Sequence, residues 1–442
     1  MEKHTDIIAS LKGRRVAVVG GGVSGLAAAR LLVAKGADVL VSDSSPREKV
    51  SADLLALPVR FEFGGHTEAL LQQALLVVSP GVKPTHPVLV EADKRGIPRC
   101  AEVELGYLSL PKSLRYCAIT GTNGKTTTTS LIGHIVRTAG KKVFVGGNIG
   151  DPLCNLAIDY AALQKEMPDF AVLELSSYQC EEIHTFDANV AVLLNITPDH
   201  LDRYPSVDAY AAAKARLFER QNASHASILN KEDRFCGGLG AKLTSRVIWF
   251  TPDDETGISF ERSQLLGRHN RENQVAAVRA AIALGIDMAS IQKGIDTFGG
   301  VEHRIERVRT VGGVTYFNDS KATNDDAAAK ALLAVPAPII WLAGGRDKNG
   351  GYALSKAAGK NKIKLAILFG EAAPLIEEAM IGTCAIARVD NIEEAVARAA
   401  REAQDGDAVL LSPACSSFYQ FKNYEERGRT FKSLVNALGG TV

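Results

Sequence analysis

The chain of 442 residues is 46% hydrophobic and 23% charged, with a formal net charge of +1; it is long enough for several cores and has no global field steering it towards nucleic acid or an anionic membrane. Its seven cysteines, at 100, 117, 154, 180, 236, 384 and 415, include no C-x-x-C pair, which argues against a disulfide framework or a thiolate zinc site. The start, MEKHTDIIASLKGRRVAVVG, lacks a signal peptide's apolar stretch, and no run approaches the roughly 18 uncharged apolar residues of a membrane span, so a soluble cytoplasmic protein is expected.

Short apolar, β-branched runs alternate with helical patterns throughout, the signature of α/β folds with parallel sheets. Length suggests about three domains of about 150 residues. Residues 1–112 offer strands RVAVVG, DVLVSD and ALLVVSP, with a helix on GLAAARLLVAKG. Pro111 breaks the pattern before residues 113–300, which offer RYCAITG, KVFVGGN, FAVLELSS, NVAVLLNI and ASILN. Gly299 and Gly300 mark the next break, and residues 301–442 offer PIIWLAGG, KLAILFG and AVLLSPA. Helix IEEAVARAAREA there opens with a capping box, Asn391 and Glu394.

Gly20, Gly22 and Gly25 spell G-x-G-x-x-G after the first strand, and Asp43 ends the next strand 18 residues beyond Gly25. Such glycines allow a diphosphate to approach a helix N-terminus, with the acid near a ribose. UDP satisfies that description as well as NAD does, so this loop alone does not choose.

Thr120-Gly121-Thr122-Asn123-Gly124-Lys125-Thr126 ends the strand RYCAI and begins a helix. Its backbone N–H groups suit phosphates, Lys125 the terminal phosphates and the Thr126 hydroxyl a Mg²⁺ ion. Ile119 stands where the common pattern has its first glycine, so this is a P-loop variant with Gly121 in its place. Thr126 to Thr129 are poor helix formers, which points to function rather than packing and makes an ATP enzyme the stronger reading.

Two further strands end in chemistry: Glu174 in FAVLELSSYQ, and Asp199 with His200 in VAVLLNITPDHLDRYP. A carboxylate inside an apolar strand is costly unless paired; Mg²⁺ would pair with Glu174, and a solvent-facing or helix-capping acid is the plain alternative. His200 alone reads as structural, and Lys214 in SVDAYAAAKARLFE as a solvated lysine. Asn270 in GRHNRENQVAA suits adenine's donor–acceptor edge or an N-cap equally. In the last block FNDSKATN, GGRDKNGG and LSPACSSFYQFKNYEERG carry Lys321, Thr323, Lys348, Ser416 and Ser417, the latter two segments directly after strands. Together they suit a small anionic substrate.

GTNGKTT, the ELSS strand end, NITPDHLDR, GRHNRENQVAA and EHRIE together resemble the Mur ligases, ATP-dependent amide-forming enzymes of peptidoglycan synthesis. YFNDSKATN and LLSPACSSFYQFKNYEERG resemble the members that add D-glutamate, and the resemblance spans nearly the whole chain. It implies three α/β domains: Rossmann-like 1–112 for UDP, P-loop ATPase-like 113–300 for ATP, and Rossmann-like 301–442 for the amino acid. The implied substrates are UDP-N-acetylmuramoyl-L-alanine, D-glutamate and ATP, with two Mg²⁺ ions, and the expectation is a monomer without nucleic-acid or membrane partners.

By matching motif, Gly121 to Thr127 would serve ATP, with Asn270, Arg304 and Asp319 completing its site. Thr126, Glu174, His200 and a carbamylated Lys214 would hold the metal ions, so the resemblance overrides the plain reading of Lys214. Gly20, Gly22, Val23, Ser24, Gly25, Asp43, Ser79 and Gly81 would contact UDP, and Asn148 the muramoyl substrate. Ser45 stands where many relatives have arginine, and Arg47 is its candidate substitute. Lys321, Thr323, Lys348, Ser417, Phe418 and Tyr424 would form the D-glutamate pocket. The competing readings are a folylpolyglutamate synthetase-like ligase, which lacks the G-x-G-x-x-G domain; an NAD- or FAD-dependent oxidoreductase, which leaves GTNGKTT, Glu174 and His200 unexplained; and a non-enzymatic nucleotide-binding module.

Overall fold

A computed structural model describes residues 3–162, 166–201, 203–347 and 351–439. These form two compact units, residues 3–259 with 272–295, and residues 260–271 with 296–439.

The first unit carries two sheets. Strands β1 (Arg15–Val19), β2 (Asp38–Asp43), β3 (Arg60–Phe63), β4 (Leu75–Val78) and β5 (Arg99–Ala101) lie in the order β3-β2-β1-β4-β5, all parallel. Strands β6 (Arg115–Thr120), β7 (Val143–Gly147), β8 (Phe170–Glu174), β9 (Val190–Leu193), β10 (Ala226–Asn230) and β11 (Arg246–Phe250) lie in the order β11-β10-β9-β6-β8-β7, again parallel. Central strands such as VAVV and AVLE are buried along their length, because parallel sheets are covered on both faces. Both sheets reverse their winding beside the strand that precedes a glycine loop: β1 lies between β2 and β4, and β6 between β9 and β8. Ligands bind at such switch points, beyond the strand C-termini.

Helices Val23–Ala34, Glu102–Ser109 and Leu153–Ala161 pack on one another, and Leu31, Val103 and Leu153 join a core running from the first sheet to the second. A Cβ at Gly106 would stand 2.9 Å from Leu153 Cγ and 3.0 Å from Cys154 N, so only glycine allows this approach.

The second unit carries β12 (Glu306–Val311), β13 (Val314–Asn318), β14 (Ile339–Gly344), β15 (Ile363–Phe369), β16 (Ala385–Arg388) and β17 (Ala408–Leu411), in the order β12-β13-β17-β14-β15-β16. It is parallel except for the β12–β13 hairpin, which turns at Gly312 and Gly313, with φ of +55° and +77°. Separate apolar clusters cover its two faces. Asn391 caps its helix by accepting from Glu394 N at 2.9 Å. The return bond differs from the expected box: the Glu394 carboxylate accepts from Asp390 N at 3.1 Å.

Candidate active site

In the first sheet, Gly20 adopts φ +94°, and a Cβ there would stand 2.8 Å from Ser79 Cβ. A Cβ at Gly25 would meet Gly20 O at 1.9 Å, and Gly22 faces open space as the N-cap of Val23–Ala34. Ser79 Oγ donates to Gly20 O at 2.7 Å, which ties the β1 and β4 loops together. Asp43 accepts from Gly21 N at 2.5 Å and Ser45 N at 2.7 Å. Burial pushes its carboxyl upward, but these N–H donors outweigh that and hold it below the usual value. Val23 at the helix start is 72% exposed and Gly81 is exposed. Val23, between Gly22 and Ser24, is thus an exposed apolar side chain in the first turn of its helix. Arg47 lies over the Phe63 ring at 5.9 Å.

In the second sheet the P-loop variant has the backbone its glycines permit. Gly121 and Gly124 have φ of +147° and +86°, and Gly124 caps helix Lys125–Thr138 in the left-handed region. Lys125 Nζ donates to Gly121 O at 3.0 Å and Thr122 O at 2.9 Å, carbonyls a bound phosphate would replace. The loop rests on Asn195, whose backbone O and side-chain Oδ1 accept from Thr122 N and Asn123 N at 2.8 and 2.9 Å. Asn273 Oδ1 packs where a Gly124 Cβ would be, 2.1 Å away. Neither asparagine was singled out from the sequence; a lone Asn carries no motif, and only the fold brings them to the loop. Thr126 to Thr129 are all buried.

Glu174 ends β8, which pairs with β6 so that Glu174 lies opposite Ile119. It is 2% exposed; Oε1 accepts from Asn148 Nδ2 at 2.8 Å, while Oε2 is buried with no partner among the described residues. Lys214, on helix Val207–Ala215, is buried rather than solvated, 1% exposed. Its Nζ donates to Gly121 O at 2.9 Å and lies 4.6 Å from the Tyr210 ring centroid. Burial first, and the nearby Lys125 second, push its ammonium down to about 7, with Asp199 and Glu174 among the anions opposing. His200 occupies an exposed turn at φ +54°, with Tyr178 Oη 2.7 Å from Nδ1. This sheet end therefore gathers Lys125, Thr126, Asn148, Glu174, His200 and Lys214.

The second unit gathers the third set. Asp319 follows β13; it accepts from Ile305 N at 3.2 Å and from Ser412 Oγ at 2.8 Å. Burial pushes its carboxyl up to about 7 against those bonds and the pull of Arg304. His303 and Ile305 on either side of Arg304 have φ of +66° and +45°, a strained backbone of the kind found at working sites, and Arg304 Nε is buried without a partner among the described residues.

Lys321 Nζ lies 5.4 Å from the Tyr424 ring centroid, and Thr323 N donates to Lys321 O. Ser417 is buried and Phe418 is 65% exposed. Arg427, missed in the sequence, joins these loops: it is 1% exposed and donates to Ser320 Oγ, Ser320 O and Cys415 O at 3.0, 2.8 and 3.2 Å. Asn270 lies in this unit within helix Arg268–Ala283, its Nδ2 donating to Leu266 O at 2.8 Å. Lys348 lies outside the described residues.

Three family models match the chain: the Mur ligase MurD-like N-terminal domain over residues 14–100, the Mur ligase middle domain over 119–259, and the Mur ligase glutamate ligase domain over 303–415. The UDP-N-acetylmuramoylalanine–D-glutamate ligase of Acidobacterium capsulatum is 43% identical over 460 residues, covering 98% of each chain. The protein of that name from Koribacter versatilis is 41% identical over 453 residues, covering 97% of this chain and 98% of that one. Among solved structures, the UDP-N-acetylmuramate–alanine ligase of Thermotoga maritima shares the fold, with a TM-score of 0.58 at 18% identity over 96% of this chain and all of that one.

Proposed function

The chain belongs to the Mur ligase family, and from that premise we propose that it joins D-glutamate to the alanyl carboxylate of UDP-N-acetylmuramoyl-L-alanine, driven by ATP, in cytoplasmic peptidoglycan precursor synthesis. The near full-length relatives at about 40% identity support the substrates. The observation that carries the chemistry is the place of Glu174 at the end of β8, beside the β6 strand that leads into the Lys125 loop: a buried carboxylate with one oxygen unpartnered among the described residues. In this reading the chain acts as a monomer of three domains, 1–112, 113–300 and 301–442, on small molecules alone, without nucleic-acid or membrane partners. Among the described residues no helix is long and apolar enough to cross a membrane.

The residues fit Mg²⁺. A buried carboxylate oxygen without a partner is costly, and a hard cation prefers oxygen ligands. Thr126 and Glu174 would hold one ion, and His200 with Lys214 as its carbamate a second. When bound, Mg²⁺ neutralises charge on the nucleotide's phosphates.

A carboxylate is a poor electrophile, so amide formation needs a leaving group. The alanyl carboxylate attacks the γ-phosphorus of ATP, giving an acyl phosphate and ADP. The D-glutamate amine then attacks the acyl carbon and phosphate leaves. Lys125 turns from the carbonyls of Gly121 and Thr122 to the transferring phosphoryl group, a preorganised cation at developing charge. Asn148 faces the muramoyl substrate, while Asn270, Arg304 and Asp319 complete the ATP site. The loops around Gly20 to Gly25, Asp43, Ser79 and Gly81 seat UDP, and Lys321, Thr323, Lys348, Ser417, Phe418 and Tyr424 seat D-glutamate.

The test is phosphate release from ATP and Mg²⁺ with UDP-N-acetylmuramoyl-L-alanine and, separately, D-glutamate, L-glutamate, glycine or D-alanine. Release should require the sugar nucleotide and D-glutamate together. Release with another amino acid would move the pocket assignment, and none from a folded, ATP-binding sample would overturn the reading.

A further inference from the structure

We propose that Tyr178 is the positioning residue for His200: its hydroxyl accepts the Nδ1 proton and so presents Nε2, with its lone pair, to a divalent cation. This rests on the reading of His200 as a metal ligand and adds the group that makes it one.

His200 does not hold its own ring. Its side chain is 42% exposed on a left-handed turn, and among the described residues each ring nitrogen has one acidic or hydroxyl neighbour. Nδ1 lies 2.7 Å from Tyr178 Oη, whereas Nε2 lies 3.5 Å from Asp199 Oδ2. The neutral ring carries one proton, and the partner of one nitrogen decides which nitrogen keeps the lone pair. With the proton on Nδ1, the short bond to Tyr178 forms and Nε2 is available. With the proton on Nε2, the ring turns its donor to Asp199 and has no lone pair for a cation on that side.

Tyr178 is itself well held. It sits on the short helix Ser177–Glu181, four residues after Glu174, behind the Ser176 cap. The Arg203 guanidinium stacks 4.1 Å from its ring centroid, pairs with the Glu181 carboxylate, and donates from Nη1 to Pro80 O at 3.1 Å. Pro80 lies between Ser79 and Gly81, so the anchor of the pair reaches the β4 loop of the first sheet. Tyr178 and His200 ring centroids are 4.9 Å apart. A hydrogen-bonded partner on the far nitrogen typically contributes 10- to 100-fold to metal affinity.

Tyr178→Phe removes the oxygen and keeps the ring that Arg203 stacks on. Mn²⁺ is titrated by electron paramagnetic resonance into protein saturated with a non-hydrolysable ATP analogue, and the His200 tautomer is read from side-chain ¹⁵N shifts. One Mn²⁺ site should weaken by roughly 10- to 100-fold while the other holds, and the ¹⁵N shifts should move towards the Nε2–H form. Saturating Mn²⁺ should restore turnover, which metal would not do for structural damage. His200→Ala separates the two levels of the claim. If it binds both Mn²⁺ ions as tightly as wild type, His200 is no ligand and the proposal falls with that reading. If His200→Ala loses a site while Tyr178→Phe keeps wild-type affinity and tautomer, the positioning role alone is overturned.

Discussion

At Lys214, burial changes what a lysine can do. Ammonium does not react with CO₂ and free amine does. Burial and Lys125 lower its value to about 7, so the amine fraction rises as pH rises through neutrality. A ¹³C carbamate signal from labelled bicarbonate should therefore grow through pH 7, fade one unit below it and vanish in Lys214→Ala. Small carboxylic acids should restore part of that variant's activity. A signal that survives Lys214→Ala would refute the assignment. Lys125→Ala should lose roughly 10²–10³-fold or more in turnover with little change in melting temperature, since the half-buried Lys125 bonds two loop carbonyls through Nζ; normal activity would remove the P-loop from the mechanism. The loop that holds Lys125 and Thr126 was legible because its spacing and strand–helix context are local, and the backbone follows them, with Gly124 capping the helix that Lys125 begins. Lys214 was not, because AYAAAKAR reads as a solvated helix until tertiary packing puts Tyr210 and Gly121 around it. Asn195, Asn273, Tyr178 and Arg427 were missed for the same reason: each acts through neighbours distant in sequence, and none carries a local signature.

The strands that sequence revealed and those it hid differ in where they lie. Runs such as VAVV, AVLE and IIWLAG are covered on both faces and read as unbroken apolar stretches. RFEF in β3, RVIWF in β11, ERVRTV in β12 and AIAR in β16 are sheet edges, partly exposed and charged, as edges must be to avoid pairing with other chains. β5 is a three-residue edge. Two strands depart from this: β7 is an edge that KVFVGGN nevertheless reveals, through its apolar Val143, Phe144 and Val145, and β13 is an inner strand marked in the sequence only by its V-G-G-V turn signal. Two predictions belong to the helix contact of Glu102–Ser109. Gly106→Ala gains about 1 kcal/mol of helix propensity but costs about 1–3 kcal/mol by crowding Leu153 and Cys154. The expected result is a lower urea midpoint; a higher one would mean that the helices part freely. Glu102 is 3% exposed, and burial pushes it from 4.5 to about 7 despite its bond from Cys154 N. Between those values the folded chain binds more protons than the unfolded one, so this group makes stability fall as pH rises through the window. Glu102→Gln should therefore gain stability relative to wild type on going from pH 5 to pH 8; equal shifts in both proteins would contradict the assignment.

At the scale of the whole chain, alternating strands and helices were enough to expect parallel α/β architecture, and all three sheets have it apart from the β12–β13 hairpin. What the sequence left open was which nucleotide the first loop holds, since glycines recognise a diphosphate and not the group beyond it. Membership in the Mur ligase family favours UDP and accounts for both glycine loops: a sugar nucleotide supplies the carboxylate and a triphosphate activates it. The step on which this turns is direct activation of the alanyl carboxylate by ATP. It is tested by making UDP-N-acetylmuramoyl-L-alanine with ¹⁸O in the alanyl carboxylate and following the phosphate released with ATP and D-glutamate by mass spectrometry. Attack of that carboxylate on the γ-phosphorus predicts one ¹⁸O atom in each phosphate. Unlabelled phosphate, formed while the amide product accumulates, would contradict the acyl-phosphate route.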